Sequence, residues 1–154
     1  MAQGLQNDIQ QKRPFRSIYE EAGLNIFRSA SLLDDEGSRL LKAAAVTGPQ
    51  YNVLRILKGS ESTGLCRNDV RDRMLTRMPD MTRLLDRMEE AGLVKRERSE
   101  SDRRHVTTHI TAAGKRLLKD LEGPIARLQE KQFGHMSEKE LRQLIELLTK
   151  ARSK

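Results

Sequence analysis

RMPDMTRLLDRMEEAGLVKRERSESDRRHVTTHIT, residues 77–111, reads as a turn, a helix, a second turn, a strand, a charged loop and a returning strand. Pro79 suits a helix opening, and Met81, Leu84, Leu85 and Met88 recur at the spacing of one buried helical face. Gly92 follows Ala91 where a left-handed cap ends a helix. Leu93 to Arg98 and Arg104 to Ile110 then read as paired strands, and Thr107 and Thr108 are good strand residues. The connecting loop, Ser99 to Arg104, ends in Asp102-Arg103-Arg104. Upstream, Leu65 to Leu75 forms a short helix with Val70 and Met74 inward, and Thr76 to Met78 is the turn. Helix, turn, helix and hairpin together make a winged helix-turn-helix, with the shorter helix (66–75) propping the longer one (79–91).

Outward from this unit the chain is helical. Residues 1–14 are polar and glutamine-rich, end at Pro14 and read as a mobile arm. Ser17 and Glu20 form a capping-box pattern. Ile18, Ala22, Ile26, Ala30, Leu33, Leu40, Leu41 and Ala44 follow with helical period, and Gly37 marks a bend. Thr47-Gly48-Pro49 stops one helix and restarts another, whose inner face is Tyr51, Leu54, Ile56 and Leu57. Lys58 to Gly64 is a loop. After the hairpin, Thr111 caps a helix to about Gln132, kinked at Gly123-Pro124, with Leu117, Leu118, Leu121, Ile125 and Leu128 on one face. Ser137 and Glu140 start a last helix lined by Leu141, Leu144, Ile145, Leu147 and Leu148. The fold class is therefore mainly α with a small β-hairpin wing. Its expected divisions are an arm (1–16), a dimerisation helix (17–46), a winged helix-turn-helix lobe (47–111) and C-terminal dimerisation helices (112–154).

With 154 residues, 33% charged and 36% hydrophobic, the chain is polar for a monomer, so part of its apolar surface is expected to be completed by a second copy. The formal net charge of +7 favours a polyanionic partner. The charge is not concentrated on the reading unit: it is +2 over residues 66–104, +4 over 105–154 and +1 over 1–65. Arginine placement must carry the argument instead. The helix bears Asp80, Thr82, Arg83 and Arg87 on otherwise polar faces, with Arg77 in the turn. Arginine can bind guanine O6 and N7 bidentately, threonine a phosphate or base edge, and a helix N-terminus favours phosphate. Arg87 could equally pair with Asp86 or Glu90, and Arg104 with Asp102.

The segments DMTRLLDRMEEAGLVKRERSESDRRHVTTHITAAGKRLL (80–118) and TGPQYNVLRIL (47–57) resemble the MarR family of transcription regulators, and the resemblance covers roughly residues 20–150. The family's wing pattern of Asp-x-Arg, then a strand, then Leu/Ile-Thr-x-x-Gly, is matched by Asp102-Arg103-Arg104 and by Ile110-Thr111-Ala112-Ala113-Gly114. The resemblance implies that Arg104 enters a minor groove with Asp102 orienting it, and that Thr82 and Arg83 contact DNA. It implies a homodimer built from the N-terminal and last two helices, acting on a pseudo-palindromic duplex. It also implies a small-molecule effector pocket between the dimer layer and the lobe, for which helix faces suggest Ile18, Tyr19, Ala22, Tyr51, Leu54 and Leu117. Some members sense oxidants through a cysteine in the first helix, and this chain has none there. A repressor released by a small ligand is the function expected.

Other classes fare worse. No phosphate-cradling glycine loop, nucleophile elbow or HExxH helix points to an enzyme, and no cofactor is expected. Five aromatics give little platform for stacking single-stranded nucleic acid. The rival reading is a winged-helix protein-interaction module without DNA binding. Cys66, the one cysteine, excludes an internal disulfide, fits a reduced cytoplasmic setting and reads as a small buried residue. His105 and His109, four apart on a strand, would stand roughly 13 Å apart at ~3.3 Å per residue, so no metal site is expected there; His135 is a lone loop residue. No apolar run or N-terminal signal core suggests a membrane or secretory segment.

Overall fold

The computed structural model describes residues 4–98 and 106–153. Its elements run α1 (Leu5–Asp8), α2 (Ile18–Ala43), α3 (Gly48–Lys58), β1 (Leu65–Cys66), α4 (Arg67–Asp72), α5 (Met81–Glu90), β2 (Val94–Arg98), β3 (Val106–Ile110), α6 (Ala112–Phe133) and α7 (Glu138–Arg152). The chain divides into two compact units, one up to Gly37 and one from Ser38.

In the first unit the expected polar arm holds α1, with Leu5 buried, so this part is not a featureless tail. The start of α2 is capped as its sequence suggests: the Glu20 amide donates to Ser17 Oγ (3.2 Å). The return bond differs, because the Glu20 carboxylate accepts from the Arg16 amide (2.6 Å). The helix assignment continues without a break through Gly37.

In the second unit α2 ends with the Val46 amide on the Leu41 carbonyl (3.1 Å) and the Ala45 amide on the Lys42 carbonyl (3.0 Å). This is the paired closure of a helix end with a left-handed residue, here Ala45 at φ 56°. Thr47 and Gln50 cap α3 reciprocally, and Pro49 occupies its first turn. Val53, Leu54 and Leu57 are its buried residues; Ile56, expected among them, is only partly buried.

Two boundaries differ from expectation. Leu65–Cys66 is a strand rather than the start of a helix, and α4 is only six residues long. Cys66 caps α4 from an extended backbone (φ −72°, ψ 162°), which leaves Leu65 and Cys66 free to pair with Thr108 and Thr107. The longer helix starts at Met81, not Pro79, because the Asp80 carboxylate accepts from the Arg83 amide (3.0 Å) and fixes the N-cap there.

Gly92, at φ 71°, closes α5: its amide donates to the Glu89 carbonyl and that of Leu93 to the Met88 carbonyl, both at 2.9 Å. The chain then enters β2, which pairs antiparallel with β3 from Val94↔Ile110 to Arg98↔Val106, giving the sheet order β1-β3-β2. Thr111 caps α6 by accepting from the Gly114 amide (3.1 Å), while its hydroxyl donates to the Gly92 carbonyl (2.6 Å). One threonine thus joins the helix start to the hairpin base. The α6 assignment is continuous across Pro124, and Ser137 and Glu140 form the expected capping box of α7.

The main core gathers Val53, Leu54 and Leu57 of α3, Val70, the Met81, Leu85 and Met88 face of α5, Val94, Ile110 and Leu118. A smaller cluster joins Leu41 and Val46 to Leu121. Among the described residues no helix is long and apolar enough to cross a membrane.

Candidate nucleic-acid interface

The inner face of α5 fixes what its outer face presents. With Met81, Leu85 and Met88 buried, Thr82, Arg83 and Arg87 are exposed. Two outward stripes result from the i, i+3, i+4 geometry of a helix. Along one lie Thr82, Asp86 and Glu89, and each is engaged. Arg67 Nη1 donates to Thr82 Oγ1 (2.9 Å). Arg96, on β2, donates through Nε (2.8 Å) and Nη2 (2.6 Å) to Glu89 Oε2, and its Nη2 also lies 2.6 Å from Asp86 Oδ1. The Arg96 amide donates to the other Glu89 oxygen (2.9 Å). The bonds from Arg96 hold the Glu89 carboxyl below its ordinary range, and Glu89, followed by Asp86, raises Arg96 against the opposing effect of burial. Along the other stripe lie Arg83 and Arg87, with the exposed Glu90 at its end. Their side chains, like that of Arg77 in the turn, have no ion pair or hydrogen bond among the described residues.

Asp80, expected to face DNA, is exposed, with one carboxylate oxygen committed to the helix cap. Arg67, Thr82 and Arg96 line one open cleft of about 450 Å³, floored by Leu85, Val106 and Thr108. Asp102, Arg103 and Arg104, the expected wing tip, lie outside the described residues, as does His105.

Cys66 is half-exposed rather than buried. Its thiol donates to Asp69 Oδ2 (3.1 Å) and accepts from the Asp69 amide (3.4 Å), as a capping position requires. His109 Nε2 lies 3.2 Å from Thr107 Oγ1 and 3.7 Å from Glu97 Oε2. Among the described residues no group of three His, Cys, Asp or Glu side chains is placed to hold a metal. Of the suggested pocket residues, Ile18, Tyr19 and Ala22 belong to the first unit and are exposed. Leu54 is fully buried in the main core, and Tyr51 and Leu117 pack against both clusters of the second unit.

The sequence reading missed Arg96 and the role of Arg67. Arg96 carried a signal: in a period-two strand it shares a face with buried Val94, and an arginine on an inward face needs carboxylate partners. Asp86 and Glu89, three apart on the preceding helix, supply them.

The family model described as the MarR family matches residues 46–106. The regulator FarR of Neisseria gonorrhoeae is 26% identical over 108 residues, 70% of this chain and 73% of FarR. A MarR transcription factor from Planctomyces limnophilus is 36% identical in solved structure, with TM-score 0.69 over 88% of this chain and 98% of that one. The S. aureus MepR–DNA complex superposes with TM-score 0.73 at 25% identity, over 82% of this chain and 93% of MepR.

Proposed function

Because this chain belongs to the MarR family of DNA-binding transcription regulators, which are not enzymes, we propose that it acts as a homodimeric repressor released by a small ligand. The observation that carries the reading is the stripe of Arg83 and Arg87, with Arg77 before it. These are cations without partners among the described residues, on a helix fixed by its neighbours, in a lobe similar to that of a protein solved with DNA. Each subunit places α5 in a major groove. Arg83 reads base edges, Thr82 contacts the backbone or a base edge, and Arg77 and Arg87 contact phosphate. Asp80 contributes by capping the reader. On the family resemblance, Arg104 enters the adjacent minor groove, with Asp102 and Arg103 beside it.

Residues 47–111 form the reading lobe, and the helices over 17–46 and 112–154 hold two copies together. Two-fold symmetry then sets the half-sites about one helical turn apart on a pseudo-palindromic duplex. A ligand that binds better when the two readers are out of register lowers DNA affinity by its difference in affinity for the two forms.

Selection of bound fragments from genomic DNA, followed by titration of the enriched duplex against a scrambled one at several salt concentrations, tests this reading. The expected result is a palindromic site whose affinity exceeds that of the scrambled duplex at every salt concentration. Equal affinity for the two duplexes, or none for either, removes the reading. Arg83→Ala and Arg104→Ala are each expected to weaken operator binding by about 1–3 kcal/mol while the fold is retained.

A further inference from the structure

We propose that Arg96 is a positioning residue for DNA recognition: it sets the rotation of α5 against the wing by gripping Asp86 and Glu89, and it touches no DNA itself. The inference rests on the reading of α5 as the DNA reader and names how that reader is aimed.

The apolar face of α5 holds the helix to the core, but hydrophobic burial is itself non-directional. Base readout is directional, since one residue of helix is 100° of rotation. Arg96 supplies the missing direction. Its Nε and Nη2 both reach Glu89 Oε2, its Nη2 reaches Asp86 Oδ1, and its amide holds Glu89 Oε1. Backbone and side chain of one strand residue therefore fix both oxygens of a carboxylate on the last turn of α5, and charge-assisted hydrogen bonds of this kind are short and strong. At the first turn, Arg67 holds Thr82 on the same stripe. The reader is tied at both ends along one side, and Arg83 and Arg87 are left on the other.

The alternative for any arginine here is a phosphate contact. Arg96 is poorly suited to it. Its side chain is 28% exposed, its Nε and Nη2 are occupied, and two carboxylates against one guanidinium leave the cluster net negative. Simple stabilisation is also a weak account, because ion pairs whose carboxylates are this exposed contribute little to stability. Directional control of α5 is what an apolar replacement would not supply.

The experiment uses the full chain and the enriched operator, with a scrambled duplex as control. Arg96→Met, Arg96→Lys, the pair Asp86→Asn with Glu89→Gln, and the exchange Arg96→Glu with Glu89→Arg are titrated against both duplexes over a range of salt. Arg96→Met is expected to lose roughly tenfold or more in operator affinity, with scrambled-duplex affinity and salt slope unchanged. Arg96→Lys, which keeps the charge without the fork, should lose less. The paired acid variant is decisive. Removing two negative charges beside DNA would strengthen binding if simple electrostatics ruled, whereas the positioning role requires operator affinity to fall. The exchanged pair should recover part of the loss.

Loss of affinity for both duplexes, with the salt slope reduced by about one, would make Arg96 a phosphate contact and overturn the proposal. Unchanged operator affinity in Arg96→Met would overturn it as well. Amide hydrogen exchange on the free protein gives a readout without DNA. It should accelerate in α5 of Arg96→Met while α3 and α6 keep their protection, and unchanged exchange in α5 also overturns the proposal. Failure of the unaltered protein to discriminate the two duplexes removes the DNA reading instead, while exchange still reports whether Arg96 holds α5.

Discussion

A Cβ on Gly114 would stand 2.5 Å from the Leu93 carbonyl oxygen, 2.9 Å from Ile110 Cγ1 and 3.1 Å from Leu54 Cδ2. The first of these atoms is backbone at the base of the hairpin and also accepts from the Thr111 amide (3.1 Å), so it cannot yield. Gly114→Ala is therefore expected to cost about 1–3 kcal/mol, as overpacking does, read as a lower urea midpoint at unchanged slope. A midpoint equal to that of the unaltered protein would mean that α6 can lift away freely. Ala45 presents the opposite case. It is exposed and left-handed at φ 56°, where an L side chain costs about 1–2 kcal/mol. Glycine returns about 0.5–1 kcal/mol of that through its freedom in the unfolded chain. Ala45→Gly should thus stabilise the protein by about 0.5–1 kcal/mol in the same assay, and destabilisation would show that the closure of α2 is unstrained.

Between elements, Glu61 does what no single helix can. From the turn after α3 it accepts from Lys58 (2.7 Å) and from Lys115 on α6. Its hydrogen bond to Lys115, then that to Lys58, lowers its pKa from 4.5 to about 2. A carboxyl with a depressed folded-state pKa contributes its stability above the unfolded value and loses it as pH falls through the folded one. The contribution is therefore intact at neutral pH and disappears between about pH 4.5 and about pH 2. Glu61→Gln should lower the melting temperature at pH 7 and leave that at pH 2 nearly unchanged; equal losses at both would remove the linkage. This network was not legible in the sequence, because its partners stand 54 residues apart. What was legible is local. The helical period of Met81, Leu85 and Met88, the left-handed Gly92, the Thr111 cap and the Ser137–Glu140 box each lie within one turn of what they bond. The β1 strand was hidden for the same reason: two residues carry no period, and β3 decides their conformation from about 40 positions away. Of the reading site, Arg83 and Arg87 could be read from the helical face, whereas the grip of Arg96 required the strand to be folded against the helix.

At the scale of the molecule, each unit leaves apolar surface uncovered. In the first, Ile18, Tyr19 and Phe27 of α2 are 76%, 85% and 75% exposed. In the second, α7 has no buried residue at all, and Ile145 and Leu147 stand 64% and 57% exposed. An amphipathic helix without a buried face is stable only when another surface covers it, since its own propensity sustains a short helix poorly in water. A second copy is the occupant that the proposed function requires, because reading a palindrome demands a two-fold axis. Light scattering at micromolar concentration should then give twice the chain mass of 17.6 kDa. Ile145→Asp with Leu147→Asp should give single chains whose lobe still folds, because the main core draws nothing from α7. Such a chain holds one half-site only. Without the linked second contact its operator affinity should drop by roughly 10²–10⁴, while each lobe keeps Arg83 and Arg87 intact. A variant that scatters as a monomer yet binds the full operator as tightly as the unaltered protein would show that the two readers act independently, and the exposed face of α7 would then need another explanation.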